Sequence, residues 1–479
     1  MPTRLPSLLL ALVATASVAG VFLCTAPLAM KLAIAAMMAL AIWRPAEGLV
    51  AAAGFAPLGG GLAALTHSSR SWSLPLVCAF LAGVAIRESI QPREPRDRVV
   101  TVVAAVWVAI VFLSLGVEIA AQRPPGQPLT VFLGKFLSWL VQKFPMTALR
   151  DFPGVAAAAL ASGGAALFAV AATLCRREPT LAARTVSALV LSVGALGALN
   201  VNRLIEAALR RPPFLEALVH LHQTRRINTT FTDVNAAGAL FVLMIPIAVG
   251  LGSLRGYRWL PWTISPFLLA GAWFSGSRTA LAMLPVSIAI LVIARTTRRG
   301  ARGLAAAAAL LLGVTALSAL VLLAYPRTAA HGSIFVAYGV RRDLLTTTLR
   351  MAGDAPLFGV GIGRYYDRSR EFMPPRLRRQ YRAQNAHNQY LQVLGELGVI
   401  GLASFAAMVA VGVGPALRTL ARRAGDPMLA GLAIGCVTFL SIGLGMHPLL
   451  TGEVAVVFYL VLGLSRAAAS TSTRSSGPP

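Results

Sequence analysis

A histidine lies where a long polar segment of the chain meets a long apolar run. His387 stands in Asn385-Ala386-His387-Asn388, and Glu396 follows nine residues later near the start of the apolar run. The near-neutral pKa of imidazole suits it to proton transfer, although a loop histidine is more often a structural residue. Near a helix start, Glu396 is favoured by the helix dipole, and its structural alternative is a cap or an ion pair that holds the loop.

The segment that leads to this histidine is rich in arginine. Residues 326–389 contain eleven arginines and four acidic residues, a charge density that calls for an anionic partner. The pattern from Tyr338 to Gly353 predicts a helix that presents Arg342, Thr346 and Arg350 on one face. The same pattern predicts that Leu345 and Leu349 turn away from that face and pack.

Two glycine-containing stretches accompany these charges. Arg278, in Ser275-Gly276-Ser277-Arg278-Thr279, lies between two apolar runs, where a cation is either functional or extends to lipid head groups. After a turn signal at 354–356 comes Gly359-Val360-Gly361-Ile362-Gly363, whose amides could contact a phosphate. A flexible turn is the favoured interpretation, because the strand and helix of a dinucleotide fingerprint are missing.

The sequence predicts neither a metal site nor a cofactor. The four cysteines are far apart, and neither an Asp-x-Asp cluster nor histidines at metal-ligand spacing occur. The net charge of +26 is carried almost entirely by arginine, as in membrane proteins whose loops face an anionic leaflet, so nucleic acid is not a predicted partner.

The elements that must position these residues are membrane helices. Hydrophobic residues make up 57% of the chain and charged residues 13%, with a mean hydropathy of +0.72. Apolar runs long enough to span recur about fourteen times, the shortest being doubtful. We therefore predict an all-α polytopic bundle of about 12–14 transmembrane helices with one long periplasmic loop. The runs lie near 6–26, 27–43, 46–66, 73–87, 99–121, 153–174, 182–201, 233–252, 258–274, 279–294, 303–325, 390–415, 428–446 and 450–465.

The arginines of the short connections predict the orientation. With the N-terminus in the cytoplasm, the arginine-bearing short loops all fall inside, and segment 326–389 falls outside with Arg278 and His387. A helix lying on the membrane surface is predicted at 129–144. One membrane domain, 1–466, contains the 326–389 loop, and a disordered tail covers 467–479.

Three stretches together resemble the O-antigen ligase and polymerase superfamily of bacterial envelope enzymes, in order, in spacing and in the single long outer loop. The resemblance covers roughly residues 230–465, while the first 200 residues share only the many-helix character. The stretches are Ser275 to Thr279, Arg342 to Gly361, and His387-Asn388 with Leu391-Gln392 and Glu396 to Gly401.

The resemblance implies a metal-independent glycosyltransferase of the inner membrane that uses a polyprenyl-diphosphate-linked glycan at the periplasmic face. It implies that Arg278, with Arg341 or Arg342, binds the donor diphosphate, and that His387 activates the acceptor hydroxyl. Arg350 shares the predicted face of Arg342 and is a further candidate contact. Arginine forks can stabilise the departing diphosphate without a divalent cation, and inversion follows by analogy from attack opposite the leaving group. Asn388 and Glu396 are supporting residues.

Several functions remain open on the sequence alone. Ligation to lipid A-core is the first expectation, polymerisation onto a growing glycan comes next, and protein O-glycosylation belongs to the same class. An arginine-rich cavity would also serve a transporter of anionic lipids, but we find no inverted repeat or matched pair of broken helices. A scaffold without enzymatic activity would leave His387 without a role. Membrane lipids are partners in every case.

Overall fold

The computed structural model describes residues 26–474 except 69–70, 92–96, 143–152, 225–226, 228–229 and 423–425, and it describes only scattered positions of 297–333. Secondary structure in the described part of the chain is entirely helical, so the all-α prediction is confirmed. Helices are expected here because lipid offers no partner to backbone N–H and C=O groups, which a helix satisfies internally.

Twelve helices are described before the long loop. A 70° bend separates the second and third, which together correspond to the predicted run 46–66. The helices are α1 (Leu28–Trp43), α2 (Pro45–Phe55), α3 (Gly59–Leu65), α4 (Ser73–Ile90), α5 (Arg98–Ala121), α6 (Leu129–Gln142), α7 (Pro153–Arg177), α8 (Pro179–Leu209), α9 (Phe214–Thr224), α10 (Val234–Leu251), α11 (Leu260–Ser275) and α12 (Arg278–Thr296).

The remaining helices form the long loop and the end of the bundle. They are α13 (Ile334–Asp354), α14 (Tyr365–Phe372), α15 (Pro375–Gln380), α16 (Gln389–Arg422), α17 (Pro427–Ile442) and α18 (Gly452–Arg474), with a short 3₁₀ turn at Pro448–Leu450 before α18. The 326–389 segment is therefore largely helical where it is described.

The bundle is that of a multi-pass membrane protein. Seven of the described helices are long and apolar enough to cross a membrane, and the bent pair α2 and α3 makes up to eight. Several shorter apolar helices, including α1 and α17, account for further predicted runs. The run 6–26 and most of 303–325 lie outside the described residues, so those two predicted spans remain predictions.

Two groups of helices meet around the long loop. In one, α10 is buried along nearly its whole length and packs against α8, α11, α12 and α17. In the other, α16 packs against α5 and α18, and α7 lies against α5 and α18. Helices α13 and α14 rest on α16, which places the loop at the N-terminal ends of α10, α12 and α16. We call this end of the molecule the loop side.

The predicted phase of the loop helix is wrong. Helix α13 forms and ends at Asp354 as expected, but Leu345 is 41% and Leu349 56% exposed. The buried face consists instead of Leu344, Thr347, Thr348 and Met351. The two threonine hydroxyls donate to the carbonyls four residues earlier, and Thr348 also bonds the hydroxyl of Tyr365, so small polar side chains pack inward without unsatisfied groups.

Two smaller predictions have mixed outcomes. The tail is not disordered from residue 467 as predicted, because α18 continues to Arg474 and Ala467, Ala468 and Ala469 are buried. Alanine is the strongest helix former, and these residues join the core. The helix predicted at 129–144 forms as α6 and turns Phe132 and Phe136 inward with Lys135 outward, but Phe144 lies outside the described residues.

The orientation of the bundle generates the first prediction. Gln380 on the loop side and Ser253 at the arginine-bearing α10–α11 connection are both exposed. In a variant whose native cysteines are replaced by alanine, Gln380→Cys should react with an impermeant maleimide in intact spheroplasts. Ser253→Cys, the matched control, should react only after lysis, because its loop carries Arg255 and Arg258. The reverse labelling pattern would reject a loop side that faces outward.

Candidate functional site

Arg278 is held at the membrane edge by a tight helix-to-helix turn. Gly276 adopts a left-handed conformation with φ 65° and ends α11, and Ser277 then starts α12 by accepting a hydrogen bond from the Ala280 N–H at 3.4 Å. Ser275 and Ser277 are buried against Gly238 of α10. The turn therefore fixes Arg278 at the first position of α12, on the loop side.

His387 is held in a strained backbone conformation. Its φ is 49°, in the left-handed region that side chains other than glycine seldom adopt. The next residue, Asn388, caps α16 by accepting from the N–H groups of Tyr390 and Leu391, and it donates to the Leu444 carbonyl at 2.8 Å. These bonds determine where the imidazole lies. Strain that the surroundings hold in place is common at functional sites.

The imidazole of His387 has two partners from distant parts of the chain. It stacks on His447, which precedes α18, with ring centroids 5.0 Å apart and an interplanar angle of 24°. Asp233, which caps α10, has its Oδ2 3.9 Å from the His447 Nδ1. That distance is too long for a hydrogen bond, and the buried Nδ1 has no hydrogen-bond partner in the described part of the chain. The three residues form an Asp–His–His row.

Arg341 comes from α13 and reaches toward the same place. Its Nη2 lies 3.5 Å from the Thr279 hydroxyl, directly beside Arg278. Partial desolvation, followed by repulsion from Arg278, lowers the pKa of Arg341 below its ordinary value. The two guanidinium groups thus lie close enough to repel each other, and an anion between them would stabilise this arrangement.

The other two candidate arginines of α13 lie apart from this pair. Arg342 is exposed, and its carbonyl accepts from the Thr346 hydroxyl at 3.1 Å. Arg350 donates from Nη1 to the Phe372 carbonyl at 3.3 Å, which ties α13 to the end of α14. Of the adjacent pair 341 and 342, it is therefore Arg341 that faces Arg278.

The charges around the histidine pair act in opposite directions. Burial and then the charge of Arg341 lower the pKa of His387, while Asp233 partly opposes them. Burial and then His387 lower the pKa of His447, again against Asp233. Both rings are therefore neutral at neutral pH, and a neutral imidazole is the form that accepts a proton.

The glycine-rich turn is a structural joint. The N–H groups of Val360 and Gly361 donate to the Gly395 and Glu396 carbonyls, and the Ile362 N–H donates to Ser114 of α5. A side chain on Gly359, whose φ is 68°, would strike the backbone of Glu396. Because these three amides are occupied, they are not free for a phosphate. The interpretation as a plain turn agrees with this geometry.

Glu396 joins that turn to the histidine. Its buried carboxyl accepts from the Gln392 side chain at 2.8 Å and faces the N–H groups of Gly363 and Tyr365. Gln392 in turn accepts from the Ala386 N–H at 3.0 Å, one residue before His387. Glu396 therefore holds the loop, as its structural alternative predicts, and is connected to His387 only through Gln392.

The local sequence around Asp233 and His447 carries no signal for a site. Asp233 caps a helix, and His447 is a histidine in a short turn. Neither lies within 50 residues of His387 in sequence, so only packing brings them together. Among the described residues, no group of three or more His, Cys, Asp or Glu could hold a metal ion.

The comparison with protein families identifies the part of the chain that carries this site. The model of the family O-antigen ligase matches residues 263–406, which include Arg278, Arg341 and His387. No curated protein matches the chain. The matched segment also contains α13 and Gly398, whose non-helical backbone interrupts α16. The resemblance to the O-antigen ligase superfamily that the sequence predicts is therefore confirmed over residues 263–406.

Proposed function

We propose that this membrane protein transfers a glycan from a polyprenyl-diphosphate carrier to an acceptor hydroxyl, with lipid A-core as the acceptor. The single observation that carries the proposal is the convergence of Arg278, Arg341 and His387 at the N-terminal ends of α12 and α16, beside the membrane. An anion site and a proton acceptor lie together there, which is what such a transfer requires.

The donor diphosphate binds between Arg278 and Arg341. The mutual repulsion of the two guanidinium groups is relieved when an anion lies between them, and both can bind phosphate oxygens through two N–H groups. Arg342 and Arg350 stay outside this contact, because it is Arg341 that reaches Thr279 beside Arg278, and Arg350 is bonded to the Phe372 carbonyl. The polyprenyl chain extends into the lipid beside α12.

The acceptor hydroxyl gives its proton to His387 as its oxygen attacks the anomeric carbon. The bond from that carbon to the diphosphate oxygen breaks, and its electron pair leaves with the diphosphate, whose charge the arginines stabilise. Attack opposite the leaving group inverts the anomeric centre. The imidazolium formed on His387 lies near Arg341, and Asp233 offsets that repulsion across His447.

The site works at the periplasmic face of the inner membrane. The distribution of arginines over the short loops supports this orientation. The lipid-linked donor, an acceptor and the surrounding lipids are the partners required by the reaction. The same chemistry extends a growing glycan when the acceptor is another repeat unit, so the acceptor must be identified by its product.

The second prediction tests both the function and the assignment of the donor arginines. In a strain that lacks the protein, lipopolysaccharide on a gel should show bare core while lipid-linked long chains accumulate. Complementation with Arg341→Ala should leave bare core, because losing one charge-stabilising donor reduces such rates by about 10²–10³. Arg342→Ala, the matched control one residue away, should restore long chains, and Arg341→Lys should restore them in part.

The same gel also distinguishes a ligase from a polymerase. Single repeat units on core in the deletion strain would identify a polymerase instead of a ligase. Normal lipopolysaccharide in the Arg341→Ala strain, with equal protein in the membrane, would remove Arg341 from donor binding.

The third prediction concerns His387 as the general base. In a purified transfer assay, His387→Ala should lower the rate by about 10²–10⁴ while donor affinity, which depends on the arginines, is retained. His67→Ala, which removes an exposed histidine between α3 and α4, should be fully active. The wild-type rate should fall on the acid side at a pH below the ordinary histidine value, because the pKa of His387 is lowered. A parallel loss of donor binding in His387→Ala would indicate a structural residue.

The fourth prediction tests the role of Asp233. Its carboxylate raises the pKa of His387, so Asp233→Asn should move the acid limb of the pH–rate profile to lower pH and lower the plateau rate. Asparagine caps helices as well as aspartate does, so α10 should remain folded.

Asp426→Asn is the matched control for that change. Asp426 caps α17 through two backbone N–H groups, and Pro427 lies against Gly250 at the opposite end of α10 from Asp233. This variant should leave the pH profile where it is. If the acid limb of the pH–rate profile moves equally in both variants, or moves in neither, Asp233 does not act through His387.

A further inference from the structure

A cavity of about 330 Å³ lies beside the Asp–His–His row, on the side of α16 that faces α5, α7 and α18. Its lining comes from those four helices, from the loop residues Ile362, Gly363, Tyr366 and Asn385, and from Leu449 and Leu450. Helices α10, α12 and α13, which carry Asp233, Arg278 and Arg341, contribute no lining residue. The cavity is therefore separate from the arginine pair.

Neither histidine lines the cavity, but residues close to each of them in the chain do. Asn385 and Gln389 line it and stand two residues before and after His387. Leu449 and Leu450 line it and follow His447 closely in the same short turn. A molecule in the cavity thus contacts the residues that flank His387 and lies apart from Arg278 and Arg341.

The polar groups left for a ligand include amide N–H groups. The side-chain oxygen of Asn385 accepts from Gln392 at 3.4 Å, and that of Gln389 accepts from the Leu449 N–H at 3.1 Å. Each amide therefore keeps its NH₂ group for other partners. Gln392 is fully used, between Asn385, Ala386 and Glu396. Amide donors suit hydroxyl and ether oxygens.

The rest of the wall is aromatic and aliphatic. Trp107 and Phe405 lie together with ring centroids 5.8 Å apart, and the Trp107 Nε1 is occupied by the Ala161 carbonyl at 3.2 Å. Trp107 therefore offers its ring, without its donor, to the cavity. A sugar ring has apolar C–H faces and polar edges, which match such a mixture of apolar wall and few directed donors.

The charge of the lining excludes an anionic ligand. Glu396 is its one ionisable acid, and neither lysine nor arginine lines the cavity in the part of the chain that the structure describes. A phosphorylated sugar would meet no compensating charge here, whereas the arginine pair lies elsewhere. We propose that this cavity binds the uncharged sugar ring of the acceptor and directs one of its hydroxyls to His387. The proposal rests on the proposed function for the identity of the ligand as an acceptor.

The test measures sugar binding directly. The full chain in lipid nanodiscs, free of sugar-based detergent, is mixed with methyl glycosides of glucose, galactose and N-acetylglucosamine, and saturation-transfer NMR reports binding. Ala156→Phe fills the cavity. Ala159→Phe makes the same change in the same helix, α7, but outside the cavity lining, so it is the control. Asn385→Asp removes the amide donor while keeping the oxygen that accepts from Gln392.

We expect at least one neutral glycoside to bind to the wild type and to Ala159→Phe, and to bind at least tenfold more weakly to Ala156→Phe and Asn385→Asp. Binding of a polyprenyl diphosphate should be unchanged in both cavity variants. Glucose 6-phosphate should bind more weakly than its neutral counterpart.

The proposal would be overturned by absence of neutral glycoside binding to the wild type, or by undiminished binding in both cavity variants. Stronger binding of the phosphate than of the neutral sugar would also overturn it. If the glycosides bind as expected but purified protein forms no transfer product, the cavity remains a sugar site and the proposed transferase function fails instead.

Discussion

The site depends on a break in α16 that the loop repairs. Gly398, with φ 66° and ψ −166°, interrupts the helix inside an apolar span, where unpaired backbone groups are costly. The segment 356–361 supplies the missing partners: Val360 and Gly361 donate to carbonyls before the break, and Val399 and Ile400 donate to the carbonyls of Pro356 and Leu357. A long charged loop is thereby joined to the bundle through main-chain hydrogen bonds, which do not depend on salt.

From that joint, a short series of contacts leads to the histidine. Glu396 lies at the break, and Gln392 stands one turn earlier. The Ala386 N–H donates to the side-chain oxygen of Gln392, which fixes the residue before His387. On its other side, Asn388 caps α16 and holds the turn that carries His447. The left-handed backbone of His387 is maintained between these two anchors. Preorganisation of this kind places a catalytic side chain without a large rearrangement when substrate binds.

The sequence predicted the elements better than the contacts between them. Apolar runs, caps such as Asp233 and turn signals such as 354–356 are local, so helices and their ends could be read directly. The inward face of α13 could not, because Thr347 and Thr348 bury their hydroxyls by bonding their own helix, against the hydrophobic pattern. The choice between Arg341 and Arg342 depended on the same phase. The position of His447 beside His387 depends on how α10, α16 and α18 pack, which the spacing of residues in the sequence does not predict.

The two kinds of basic residue divide the work in this site. Arginine stays protonated at every accessible pH, so Arg278 and Arg341 can compensate charge but cannot take a proton. Histidine can do so only while neutral, and burial, followed by the charge of Arg341, keeps His387 neutral by lowering its pKa. That effect alone would also make His387 a weak base. Asp233, placed across a second ring and not in direct contact, recovers part of the proton affinity without forming an ion pair that would block the acceptor. The Asp–His–His row therefore keeps the His387 imidazole neutral while preserving part of its basicity. This requires that α10 bring a carboxylate to the same end of the bundle as the arginines of α12 and α13.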